Sequence, residues 1–134
     1  MSRRILYLIA FVSVSVFPLF SCAHLQKQVI LDQEKKENII TVKVHNYEFE
    51  PNNIFTYEGN TILFKIENMT ISEHNFTLTD PKGAVIEDMD IPPDKNKTVE
   101  IKVTFSRTGI YHFYCNKPFH PSLGMKGQIE VVRK

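Results

Sequence analysis

The chain has 134 residues and a nearly balanced charge, 16 Lys and Arg against 15 Asp and Glu, for a formal net charge of +1. No basic cluster and no interleaving of basic and aromatic residues marks a nucleic-acid surface, so nucleic acid is not an expected partner. There are only two cysteines, Cys22 and Cys115, which limits the chain to one possible disulfide.

Residues 2–4 read Ser-Arg-Arg, residues 5–20 are apolar with scattered serines, and Leu19-Phe20-Ser21-Cys22 follows. A basic start, a short apolar run and small residues before a cut site describe an export signal. Ending on cysteine, it resembles a bacterial lipoprotein signal: residues 1–21 would be removed and Cys22 lipidated as the first mature residue. The competing reading is a retained anchor, but the apolar run falls short of the ~20 residues that span a bilayer. Both readings place the remainder in the cell envelope, on the periplasmic or extracellular face of a membrane. Two or more acyl chains would hold it there stably. Residues 22–38 are polar and charged and read as a tether. Pairing of Cys22 with Cys115 is disfavoured, because Cys22 belongs to the processing signal. Cys115 is then a lone thiol in an oxidising compartment, a liability that metal ligation would remove.

Residues 39–134 are enough for one domain with one core. Ile40, Val42 and Val44 alternate with Thr41, Lys43 and His45, the period of a strand with one buried face. Phe49 and Phe55 flank a polar turn at Glu50-Pro51-Asn52-Asn53. Ile62, Phe64 and Ile66 repeat the alternation, and Asn75-Phe76-Thr77-Leu78 follows. Residues 84–96 read as a connection with room for a short helical turn. Val99, Ile101, Val103 and Phe105 make the clearest strand. Gly109 opens the next, in which Tyr111, Phe113 and Cys115 share a face. Ile129, Val131 and Arg133 share a face of the last. Short strands with Pro, Gly and Asn turns predict an all-β sandwich of about seven or eight strands.

The chemistry is concentrated at Cys115, His120 and Met125. Four residues separate the first two and four more the second two, so a loop can bend all three side chains to one point. Upstream, His74 sits in a strand-like segment. On its own it reads as a histidine bonded to backbone or solvent; beside a loop that lacks one donor it reads as a ligand. One thiolate, two imidazoles and a thioether suit a copper ion that alternates between Cu(I) and Cu(II) with little rearrangement. Zinc fits such donors as well. His112 has the opposite strand parity to Cys115 and should face away.

The stretch Glu73-His74-Asn75-Phe76, with the run from Tyr111 through Cys115, Pro118, His120 and Met125 to Gly127, resembles the cupredoxins, the small blue-copper family. The resemblance spans about residues 39–133. It implies a Greek-key β-sandwich, with His74, Cys115 and His120 as equatorial ligands and Met125 as a weak axial one. It also implies that Asn75 braces the ligand loops and directs its backbone N–H at the thiolate, while Pro118 leaves the sulfur with fewer hydrogen bonds. The expected activity is one-electron transfer rather than catalysis, because four protein ligands leave no open coordination position. His120 would be the exit, ringed by Pro118, Phe119, Pro121 and Leu123. Expected partners are a cytochrome, a multicopper enzyme or a respiratory complex. The alternative is a copper-binding or copper-delivery module.

Overall fold

The computed structural model describes residues 28–35 and 37–134. The expected signal, Cys22 and the first residues of the tether lie outside them. Among the described residues no helix is long and apolar enough to cross a membrane.

Ten strands make two sheets. In chain order they are β1 (Gln28–Ile30), β2 (Glu37–His45), β3 (Glu48–Glu50), β4 (Asn53–Tyr57) and β5 (Thr61–Asn68). Then come β6 (His74–Thr79), β7 (Val85–Ile91), β8 (Thr98–Thr104), β9 (Gly109–Tyr114) and β10 (Lys126–Val132). The larger sheet runs β1-β4-β10-β9-β6-β7 and the smaller β3-β2-β5-β8. Parallel pairing of β1 with β4, of β4 with β10 and of β2 with β5 sits beside antiparallel pairing elsewhere, so the chain crosses repeatedly between sheets. The all-β sandwich expected from the alternation is the fold observed.

The periodicity explains the layers. Ile40, Val42 and Val44 from β2, and Ile62, Phe64 and Ile66 from β5, are buried on the inner face of the smaller sheet. Ile54, Tyr111, Phe113, Ile129 and Val131 face them from the larger one. Burying each such side chain contributes about 1.5–3 kcal/mol relative to leaving it exposed. Phe76 and Phe113 stack with ring centroids 5.3 Å apart, and Phe49 meets both edge-on. Phe76 lies two residues after His74, and Phe113 two residues before Cys115. Strand parity therefore sets both polar side chains on the face packed by this aromatic cluster. At the other end of β9, the Tyr111 hydroxyl donates to the Arg107 carbonyl at 3.1 Å, locking the corner from which the strand departs.

Three features differ from the sequence expectation. Residues 85–91 are an edge strand, not a connection with a helical turn. Its outward side chains include Asp88 and Asp90, and only Ile91 is fully buried, so the apolar alternation that signals a strand is nearly missing. Charges on an edge strand also discourage pairing with another chain. The sandwich begins before residue 39: β1 pairs with β4, and Asn38 is buried at the start of β2. Three-residue strands such as β1 and β3 carry too few residues to show a period. Finally, Arg133 lies beyond β10 and is exposed; its guanidinium approaches Glu58 at 3.9 Å.

Candidate metal centre

His74 opens β6, and the segment before it is tightly tied. Asn68 closes β5 fully buried, and its side-chain amide donates to the carbonyls of Ser72 at 2.9 Å and Pro92 at 2.7 Å. The His74 ring is itself fully buried. Its Nε2 lies 3.0 Å from the Thr70 hydroxyl, while its Nδ1 is buried without a hydrogen-bond partner among the described residues. Burial, and then the charge of His120, push its pKa below the ordinary imidazole value, so the ring is neutral with a lone pair available.

Cys115 follows β9 and is fully buried. Its sulfur lies 3.3 Å from His120 Nδ1 and accepts the backbone N–H of Asn75 at 3.3 Å. The loop that returns from it is a succession of turns. The N–H of Met125 donates to the His120 carbonyl at 3.0 Å, and that of Leu123 to the Phe119 carbonyl at 3.0 Å. Closure comes where Cys115 N–H donates to the Met125 carbonyl at 3.1 Å. That bond brings the ends of the two four-residue spacers together, and the Met125 side chain is fully buried. Phe119 takes a left-handed backbone conformation, φ +67°, which leaves its ring 79% exposed. His120 is half-buried at the same tip.

One donor atom from each of His74, Cys115 and His120 lies within 4.8 Å of the others. Two donors on opposite sides of one ion, each about 2.0–2.3 Å from it, would be about 4.3 Å apart, so the three are close to ligand spacing. The orphaned His74 Nδ1 is the second sign of fit, because a buried imidazole nitrogen without a partner is costly unless something binds it. A soft thiolate with two imidazoles suits copper and admits zinc.

Asn75 does more than present its amide. Its side chain donates to Asp88 Oδ1 at 2.8 Å and accepts from Thr77 Oγ1 at 2.6 Å, while Asn116, next to Cys115, donates to the same Asp88 oxygen at 3.3 Å. Lys117 pairs with Glu73 at 2.9 Å and Asp90 at 3.0 Å. Hydrogen bonds from Lys117 and then Asn75 hold the Asp90 carboxyl below its ordinary pKa, and those to Glu73 and Asp90 raise that of Lys117. Together these contacts tie the cysteine loop to β6 and β7. Sequence reasoning missed Asp88 and Asp90 because it did not read residues 85–91 as a strand. It also missed Tyr47, whose ring meets His120 edge-on at 5.1 Å from a turn with φ +65°. No spacing signal links residue 47 to 120. His112 is exposed and points away from the cluster, as its parity requires, and Pro118 is exposed in the turn with no N–H to offer the sulfur.

Fold and cluster together define a β-sandwich protein with a His/Cys/His metal site. The model of the copper-binding proteins of the plastocyanin/azurin family matches residues 36–132, and the chain belongs to that family. No curated protein sequence matches it. Among solved structures it is similar to auracyanin A, a blue copper protein of the green thermophilic photosynthetic bacterium Chloroflexus aurantiacus. That match has 20% identity and a TM-score of 0.61, over 71% of this chain and 98% of the other. Reduced rusticyanin matches at 18% identity and a TM-score of 0.62, over 78% and 83%. The metal-binding domain of the Cu(I)-exporting P-type ATPase of Streptococcus pneumoniae D39 matches at 18% and 0.57, over 80% and 97%. At these identities the likenesses establish the shared fold.

Proposed function

We propose that the protein is a one-electron carrier with a mononuclear copper site held by His74, Cys115, His120 and Met125, tethered through lipidated Cys22 outside the cytoplasm of a bacterium. The observation that carries this reading is the convergence of the two imidazoles on one buried thiol, with His74 Nδ1 buried and without a hydrogen-bond partner among the described residues. Copper held there supplies a Cu(I)/Cu(II) couple. The chain's own part is to keep the donors still. The stacked Phe76 and Phe113 support the strand ends, Asn75 restrains the sulfur with one N–H, and the closed loop excludes water from a buried thiol and thioether. A dry, rigid surround of this kind tunes a metal site.

His120 is the exit. It alone of the three donors in the cluster is not fully buried, and the exposed Phe119, Leu123 and Tyr47 lie around the same tip. Such an apolar rim suits brief docking of a redox partner, a cytochrome, a multicopper enzyme or a respiratory complex, with few charges to desolvate. Holding an aromatic ring outward on a left-handed residue costs of order 1–3 kcal/mol, which favours a role for the exposed ring. Four protein donors also leave no open position for a substrate, which supports a carrier over a catalyst. A copper-delivery module is the second reading, favoured by the likeness to the metal-binding domain of a Cu(I) exporter.

The purified full chain loaded with Cu(II) should show an intense thiolate-to-copper colour that ascorbate bleaches and an oxidant restores, with copper retained in both states. Cys115→Ser should abolish the colour, and Met125→Leu should retain copper but raise the potential. A colourless complex whose Cys115 still reacts with a thiol reagent would end the proposal. Ready surrender of Cu(I) to a chelator would favour delivery. Tethering has its own check: mass spectrometry of the protein from the membrane fraction should find Cys22 as the first residue carrying acyl chains, and an unmodified Cys22 would refute lipidation.

A further inference from the structure

We infer that Thr70, oriented by Asn68, selects the tautomer of His74 and so decides which of its ring nitrogens is offered to the metal. One chain of hydrogen bonds, from Asn68 through Thr70 to His74, leaves each proton a single place. The side-chain amide nitrogen of Asn68 is identified by its two partners, the carbonyls of Ser72 and Pro92, which can only accept. The other end of that amide is therefore its oxygen, and it accepts the Thr70 backbone N–H at 2.9 Å. The same oxygen lies 2.9 Å from the Thr70 hydroxyl. It has no proton to give, so the single hydroxyl proton of Thr70 goes to Asn68.

Thr70 Oγ1 is then an acceptor towards everything else. One of its lone pairs takes the backbone N–H of Ser72 at 3.1 Å. The other faces His74 Nε2 at 3.0 Å, where it can only receive a proton. Nε2 must carry the hydrogen, which leaves Nδ1 with the lone pair, and Nδ1 is the buried atom with no partner. The donor and acceptor capacity of the threonine hydroxyl is fully used, so reversing one bond breaks another. Asn68 and His74, the two ends of this chain of bonds, are fully buried, so water is kept from the amide and from the ring. Thr70 is thus a positioning residue: it touches the ligand and not the metal, and sets both ring orientation and proton location before any ion arrives. Outer partners of ligating histidines typically change metal affinity about 10–100-fold when removed.

This inference rests on His74 being a ligand, but its first test does not. In the metal-free full chain, nitrogen-15 NMR of the His74 ring should show the proton on Nε2, slow to exchange with solvent. A proton on Nδ1 would overturn the inference without touching the ligand assignment. Failure of the wild-type chain to bind any metal, with Nε2 protonated, would sink the ligand assignment and leave the tautomer chain intact. The second test uses zinc, which needs no redox chemistry. Thr70→Val, which keeps the shape and removes the acceptor, should lose the slow Nε2 proton and weaken zinc binding about 10–100-fold in a chelator competition. Thr70→Ser should restore both. Unchanged zinc affinity in folded Thr70→Val, or weakening not rescued by serine, would overturn the role. Should the valine variant not fold, the wild-type proton assignment and the serine variant still decide.

Discussion

The two histidines of the site are held in opposite ways. His74 begins a strand, is sealed on every side, and has its far nitrogen bonded to a hydroxyl that buried Asn68 orients. His120 sits at the tip of a loop of turns, is half-exposed, and has Tyr47 against its ring. A buried ring anchored through several hydrogen bonds fixes the geometry of a site, whereas a ring at the surface gives an electron a short way out. The same residue type serves as strut in one place and as contact in the other, and the difference lies wholly in what surrounds it.

The largest expected effect tests that contrast directly. His74→Gly and His120→Gly should each lose the coloured copper complex, but added free imidazole should restore it only in His120→Gly, where the vacated space opens to solvent. Equal rescue of both, followed by titrating imidazole against absorbance, would show that His74 is not sealed.

Next in size is Gly127→Ala, which asks whether the loop end depends on the strand that closes it. A Cβ there would run into the Phe113 ring at Cζ and stand 2.5 Å from the Asn52 carbonyl oxygen. Overpacking of this kind costs about 1–3 kcal/mol, to be read from denaturant melts of the folded variant. A neutral result would mean that the Phe113 ring moves aside easily, which the stacked aromatic cluster argues against.

The smallest effect comes from protons. The folded chain binds a proton at His74 less readily than the unfolded chain does, because the ring is buried and near His120. Its contribution to stability is therefore complete above the ordinary imidazole value of 6.5 and is lost as pH falls below it. Thermal melts of the metal-free protein should decline as the pH falls below 6.5, and His74→Gln should flatten that decline. A decline unaltered by the substitution would assign the pH dependence to other groups.

Much of this molecule was legible in the amino-acid order. Alternating Ile, Val and Phe in β2, β5 and β8 specify strands because a strand has only two faces and water rejects one of them. Parity alone sent Cys115 inward and His112 outward. The spacing of Cys115, His120 and Met125 announced a loop that folds on itself, since no other short segment gathers such donors. What the chain order left open was everything that depends on approach between distant segments. Edge strand β7, with its acids aimed outward, has no apolar period to betray it, so the braces from Asp88 and Asp90 to the cysteine loop became visible only in three dimensions. Tyr47 against His120, and the bonds from Asn68 through Thr70 to His74, likewise join residues whose relation no pattern encodes. Residue order specified the sandwich, its buried faces and the kinds of donor, while the separations, partners and exposure of those donors came from the packing of distant segments. The physical reason is that burial of a side chain is specified locally by its period, whereas a hydrogen bond or ring contact requires two segments placed within a few tenths of an ångström, and only the packed whole sets that distance.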